Sequence, residues 1–288
     1  MTQVLAFGRE DWQAPADAHE RDGVIAALEA GDVVAFEHLP FVFTEQERAL
    51  SQSSLLGDSK NISYSSATGE LKGCNAGPAE LQVLHGLLAR YADYSQTLVR
   101  TVLAPYTDGL QVARTSFRPQ EISGRPTSWR KDDTRLHVDS FPSSPVQGRR
   151  ILRVFSNVNP FGESRVWRVG GSFEDVARRY ELPGPLWGSS QLLNWLHITK
   201  SRRTAYDHHM LRLHDSLKAD AAYQSGDQLT HEFAPGTTWL VYTDQVPHAA
   251  MSGRYAMEQT FLLPVKYMRN AQLSPVKVLE RVLGRELV

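Results

Sequence analysis

At Leu110 the periodicity of the chain changes, and that change limits the folds open to it. Before it, apolar residues recur at helical spacing. Asp22 to Ala30 reads as a helix ended by Gly31 and followed by the strand-like Val33-Val34-Ala35-Phe36. Thr44, with Glu47 three positions on, is a capping-box start for a second, short helix. Pro78 opens a long pattern of Leu81, Leu84, Leu87, Leu88 and Tyr91 that runs towards Leu103 and stops at Pro105. After Leu110 come short runs rich in β-branched and aromatic residues, separated by Gly, Pro, Ser and Asp: Val112–Phe117, Arg135–Phe141, Arg150–Val158, Thr237–Thr243 and Tyr255–Val265. Helical patterns interrupt them around Phe173–Tyr180, Gln191–Trp195 and Ala205–Tyr223, and Pro275–Leu287 reads as a C-terminal helix. Helices first, then many antiparallel-looking strands, predicts an α+β fold with a mainly β core: a jelly roll backed by helices. With no linker or repeat in view, the expectation is one domain, with a helical part over about 1–109, a core over about 110–265 and a terminal helix over about 275–287.

Composition removes several classes. The start, MTQVLAFGREDWQ, lacks a basic-then-apolar signal pattern, and no apolar run reaches membrane-span length. The single cysteine, Cys74, can form neither an internal disulfide nor a cysteine metal cluster, which suits a reducing, cytoplasmic setting. A net charge of −1 argues against a nucleic-acid partner. It also hides an uneven distribution. Residues 1–50 hold ten acidic against three basic side chains, whereas residues 111–153 hold nine basic against four acidic. Either a site for an anionic small molecule or a solvated basic face would produce that stretch.

The chemistry-bearing residues lie in the strand-rich half. In Leu136-His137-Val138-Asp139, His137 and Asp139 are two apart, so in a strand they point to one side and can reach one ion. His248, just after the Thr237–Thr243 run, can supply a third ligand. Two histidines and a carboxylate on one face, with open positions, is the facial triad of non-haem iron(II) oxygenases, although paired barrel residues would give the same letters. Along Arg149–Asn159, alternation puts Arg150, Leu152, Val154, Ser156 and Val158 against the helices. Arg149, Ile151, Arg153, Phe155, Asn157 and Asn159 then face the barrel lumen. A lumen-facing Arg153 needs a carboxylate, either from 2-oxoglutarate or from an internal Asp or Glu. Arg254, after the Ser252-Gly253 turn, competes for the same role, or is an exposed strand-start arginine. Asn157, on the face of Arg153, is grouped with these two as a co-substrate contact.

Other features read as structure. His208, His209 and His214 do not stand at the i, i+4 spacing of helical zinc sites and are read as core or surface residues. Trp167, Trp187, Trp195 and Trp239 are read as packing anchors. Neither a Gly-rich phosphate loop nor a Gly-x-Ser-x-Gly elbow is present, so nucleotide binding and serine hydrolysis lack support.

The stretches Lys131–Pro145 (KDDTRLHVDSFPSSP) and Gly148–Pro160 (GRRILRVFSNVNP), with Arg165–Gly170, His209–Asp215 and Asp244–Ala250, are similar to the bacterial Kdo 3-hydroxylases. The likeness extends from about Gly31 to Val265. It implies a double-stranded β-helix that uses iron(II), 2-oxoglutarate and dioxygen to hydroxylate carbon 3 of 3-deoxy-D-manno-oct-2-ulosonic acid (Kdo) on lipid A, giving the sugar Ko. By that likeness His137, Asp139 and His248 hold the metal. Related oxygenases place a basic residue about ten positions after the last histidine. Here that position is Glu258, which leaves Arg254 or Arg153 for the co-substrate. Arg118, Arg135 and Arg168 are the candidates for the sugar carboxylate. Two other readings stay open: a non-catalytic jelly-roll lectin, and an iron oxygenase for another anionic metabolite. In the C-terminal helix, Lys277, Arg281 and Arg285 fall on one side and Val276, Leu279, Val282, Leu283 and Leu287 on another. Such a helix can rest on the inner-membrane surface or pack its apolar side on the domain.

Overall fold

The computed structural model describes residues 2–50, 55–57, 59–124, 127–180 and 202–288. Two sheets face each other. The larger has eight strands: β1 (Val4–Ala6), β2 (Val33–Phe36), β3 (Ile62–Ser65), β4 (Leu71–Lys72), β5 (Gln111–Arg118), β6 (Arg150–Asn157), β9 (Thr238–Tyr242) and β11 (Ala256–Leu263), in the order β1-β2-β9-β6-β11-β5-β3-β4. The smaller is β10-β7-β8, from β7 (Arg165–Val169), β8 (Leu229–Phe233) and β10 (His248–Ser252). All pairings except β1 with β2 are antiparallel, and the result is a double-stranded β-helix.

Helices pack on the outer face of the larger sheet. Asp17 caps α1 (Ala18–Ala30), which starts earlier than periodicity suggests and ends at Gly31 with φ 88°. Left-handed backbone is tolerated there because glycine has no Cβ. The Thr44–Glu47 capping box opens α2 (Glu45–Ala49) as expected. In α3 (Pro78–Val102), Leu84, Leu87, Leu88, Tyr91, Leu98 and Val102 form one buried stripe. The Tyr91 hydroxyl lies 3.2 Å from Ser156 Oγ and 3.3 Å from the Val154 carbonyl, fastening the helix to β6. Truncating one of those leucines to alanine removes about 2–5 kcal/mol. The predicted faces of β6 are observed: Leu152, Val154 and Val158 join the helix-side core, and Phe155 joins the core between the sheets.

Three expectations change. Arg135–Phe141 is not a strand but an irregular segment, held by an isolated bridge between His137 and His248. The strands β7 and β8, which complete the smaller sheet with β10, lie outside the expected runs. The Ala205–Tyr223 helix is two: α5 (Ala205–Ala219) and α6 (Ala221–Gln224), broken where the Asp220 side chain caps Tyr223 N. The helix expected over Gln191–Trp195, with Trp187, lies outside the described residues.

After α4 (Phe173–Arg179), the last helix, α7 (Pro275–Leu283), is stopped by Gly284. Its apolar side is core: Val276 and Leu279 are buried, and Val282 and Leu283 pack against the same cluster. Its basic residues, and Arg285 just past its end, are engaged. Lys277 pairs with Glu280 at 2.6 Å, Arg281 donates to the Gln272 carbonyl at 2.7 Å, and Arg285 lies 3.2 Å from His209 Nε2. Packing on the domain is therefore the reading that holds for α7. No helix among the described residues is long and apolar enough to cross a membrane.

Candidate metal centre and the charged lumen

The candidate metal centre forms where the two sheets meet. His137 and His248 exchange backbone hydrogen bonds of 3.0 and 2.9 Å, which sets their rings side by side with centroids 4.8 Å apart. Asp139 N donates to the Thr243 carbonyl at 2.7 Å, carrying its carboxylate to the same point. Ligand atoms of His137, Asp139 and His248 all lie within 4.8 Å of one another. Each histidine places Nδ1 against a carbonyl two residues back, Arg135 O at 2.7 Å and Val246 O at 2.8 Å. Donation there fixes the tautomer and leaves Nε2 with a free lone pair. Trp167 stacks on His248 at 5.2 Å and His214 meets His137 edge-on at 5.3 Å, so both rings are held from behind.

Electrostatics suit a divalent cation. Burial is the main cause that keeps His137 well below the usual histidine pKa, and neighbouring His248 and Lys218 add to it. Burial likewise lowers His248. For Asp139 burial opposes the charge, but Arg153, His248 and His137 outweigh it and hold the carboxyl below the ordinary range. Two neutral imidazoles and one carboxylate is the donor set that iron(II) accepts while keeping positions open for a chelating co-substrate and dioxygen.

The lumen beside the triad is lined with arginines. Arg153 sits 3.1 Å from Asp139 Oδ2 and 2.9 Å from Glu258 Oε1, so the internal-pair alternative is the one realised. Asp139 Oδ2 accepts no aligned hydrogen bond, which makes the first contact electrostatic. Glu258 also takes Arg118 Nε at 2.9 Å, and Arg118 lies 3.7 Å from Asp133. Arg165 is different. It is 3% exposed and donates to the Gly253 carbonyl at 2.7 Å, and its Nε has no partner. No carboxylate among the described residues lies within 4.0 Å of it. Burial first, then the neighbouring Arg118, pull its pKa down to about 9. Gly253, at φ 102°, is required there, since a Cβ would fall 3.0 Å from Arg165 Cα.

Known proteins that match the chain include iron-dependent dioxygenases. The family model for 3-deoxy-D-manno-oct-2-ulosonic acid (Kdo) hydroxylase matches residues 11–286. The chain belongs to the Kdo hydroxylase family. A crystal structure of the Kdo hydroxylase KdoO, a non-heme Fe(II) α-ketoglutarate dependent dioxygenase, in complex with α-ketoglutarate and Fe(III), is 43% identical, with 100% of this chain and 98% of that one covered and a TM-score of 0.96. The cobalt(II) complex is 44% identical over 99% of this chain and 97% of that one, with a TM-score of 0.96. The apo form is 43% identical over 100% and 98%, again at 0.96. A comparison with curated proteins finds no match. Iron(II), 2-oxoglutarate and dioxygen are thus the cofactor and co-substrates of this fold, and a lectin role is set aside.

Within this Kdo hydroxylase the remaining predicted residues separate. Arg254 points outward, 38% exposed, in a pair with Glu163 at 3.0 Å. Asn157 donates to the Glu163 and Phe233 carbonyls and accepts from Asn159 N, so its amide ties a loop together. It also stands four residues along β6 from Arg153, roughly 13 Å away. Arg168 donates to the Gln224 and Thr134 carbonyls and to Met251 S. Arg135 donates to the Lys218 carbonyl and lies 3.5 Å from Asp132. These two arginines hold the segments around the triad in place. Arg118 is in the lumen but engaged with Glu258 and Asp133. The residues that spacing did not flag are Glu258 as an internal counter-ion, Arg165 and Lys218.

Proposed function

We propose that this chain is a single oxygenase domain that hydroxylates carbon 3 of Kdo carried on lipid A, on the cytoplasmic side of the membrane, with His137, Asp139 and His248 as the iron ligands. The observation that carries the ligand assignment is the 4.8 Å cluster with both Nδ1 atoms tied to backbone carbonyls. Iron held by these residues would supply the reduction of dioxygen, two electrons coming from decarboxylation of 2-oxoglutarate to succinate, which keeps one oxygen atom, and two from the sugar C–H bond, into which the other atom is inserted.

The chain's own side chains do the rest. His248 and His137 are held in one tautomer, and Arg153 keeps Asp139 ionised and oriented. We assign Arg165 to the distal carboxylate of 2-oxoglutarate. A buried guanidinium without a carboxylate is unfavourable until an anion arrives, and a bidentate partner satisfies its free N–H groups. Arg153, already between two carboxylates, and exposed Arg254 are poorer candidates. Anaerobic iron(II) plus 2-oxoglutarate should give a metal-to-ligand charge-transfer band, and air should then couple succinate formation to a one-oxygen mass gain on lipid-linked Kdo. Succinate released at the same rate with and without Kdo would refute the substrate. Absence of the band would refute the metal site.

A further inference from the structure

One cation near the candidate metal centre serves neither the metal ligands nor 2-oxoglutarate. Lys218, on α5, is 1% exposed. It stands one helical turn after His214, whose ring meets His137 at 5.3 Å, so both project from the same side of α5. Its ammonium donates to the Arg130 carbonyl at 3.0 Å. An ammonium has three N–H groups, and no carboxylate among the described residues lies within 4.0 Å of this one.

The nearby acids are engaged elsewhere. Asp133 lies 3.2 Å from Lys60 and 3.7 Å from Arg118, Asp139 pairs with Arg153 at 3.1 Å, and Asp132 faces Arg135 at 3.5 Å. Burial lowers the Lys218 pKa, and the lysine charge in turn helps to depress His137 and His248, which places it within electrostatic reach of both. A buried cation that the described residues leave without a carboxylate calls for an anion from outside. The acceptor sugar of this family is by name an acid, and it must bring one carbon to the metal.

We infer that Lys218 receives the carboxylate of the acceptor sugar and so selects an acidic sugar over a neutral one. This rests on Kdo being the acceptor. It differs from the predicted Arg135 and Arg168, whose donors go to backbone carbonyls. The pairing also sets orientation, since anchoring carbon 1 from α5 leaves the adjoining carbons free to face the metal.

The test uses the enzyme loaded with iron(II) and 2-oxoglutarate under argon, with Kdo and its carbon-1 carboxamide titrated against the charge-transfer band. Wild type should bind the acid much more tightly than the amide. Lys218→Gln keeps a donor for the Arg130 carbonyl and removes the charge. It should weaken acid binding by roughly 30-fold or more, bring acid and amide together, and leave 2-oxoglutarate affinity within about twofold. Lys218→Arg, the conservative variant, should keep the preference for the acid. A Lys218→Gln enzyme that still prefers the acid overturns the assignment, as does one that loses acid and amide in equal measure, the result of a purely structural role. Wild type that binds 2-oxoglutarate but neither Kdo nor its amide overturns the Kdo reading itself and the assignment with it.

Discussion

Replacing Arg165 with methionine should make the protein more stable and its co-substrate site useless. A guanidinium held at about 9 instead of 12.5 carries roughly 5 kcal/mol of penalty on its charged form at neutral pH. Methionine removes that penalty and fills much of the same volume. Against this, the Gly253 carbonyl loses its donor, which costs about 1–3 kcal/mol for a buried acceptor. The balance favours Arg165→Met by about 3 kcal/mol, or a rise in melting temperature on the order of 6 °C for a chain of this size. The assay is thermal unfolding of iron(II)-loaded protein under argon, with and without 2-oxoglutarate. Wild type should gain about 2.7 kcal/mol at a hundredfold excess over Kd, and the variant should gain nothing. A variant less stable than wild type that is still stabilised by 2-oxoglutarate would refute both the unpaired-charge argument and the clamp assignment.

His137→Ala, Asp139→Ala and His248→Ala should each abolish the charge-transfer band while circular dichroism stays native; turnover by any of them with iron in excess removes that residue from the triad. Arg254→Ala should leave the 2-oxoglutarate requirement unchanged, because that side chain pairs with Glu163 at the surface; a raised requirement in steady-state kinetics would return Arg254 to the site. His209, buried against Arg285, has its pKa lowered by burial from 6.5 to about 4. The unfolded chain therefore takes up this proton first, so its contribution is complete above about pH 6.5 and declines as pH falls towards 4. Urea titrations at pH 7.5 and 5 should show a smaller loss in His209→Leu than in wild type, and equal losses would remove His209 as the cause.

Local rules settle which side of an element a residue occupies, and such placements are legible in the sequence. The two-residue spacing of His137 and Asp139, the alternation along β6, the Thr44–Glu47 box and the stripe on α3 each follow from one short stretch of chain. His248 was legible as well, through its residue type and its place after a strand. Charge pairing is another matter, because it depends on partners that only folding brings near. Arg153, Arg165 and Arg254 look alike as letters. Glu258 on the neighbouring strand engages the first, Glu163 holds the third at the surface, and the second has no carboxylate beside it among the described residues. Lys218 reads as an ordinary surface lysine near the end of a helix until the Trp129–Lys131 turn is packed against it. Sequence by itself carried the helix-then-strand order and the candidate metal ligands, through periodicity, spacing and the likeness to the Kdo 3-hydroxylases. The tertiary structure alone decided which buried cations lack a carboxylate among the described residues, because ion pairing depends on long-range neighbours.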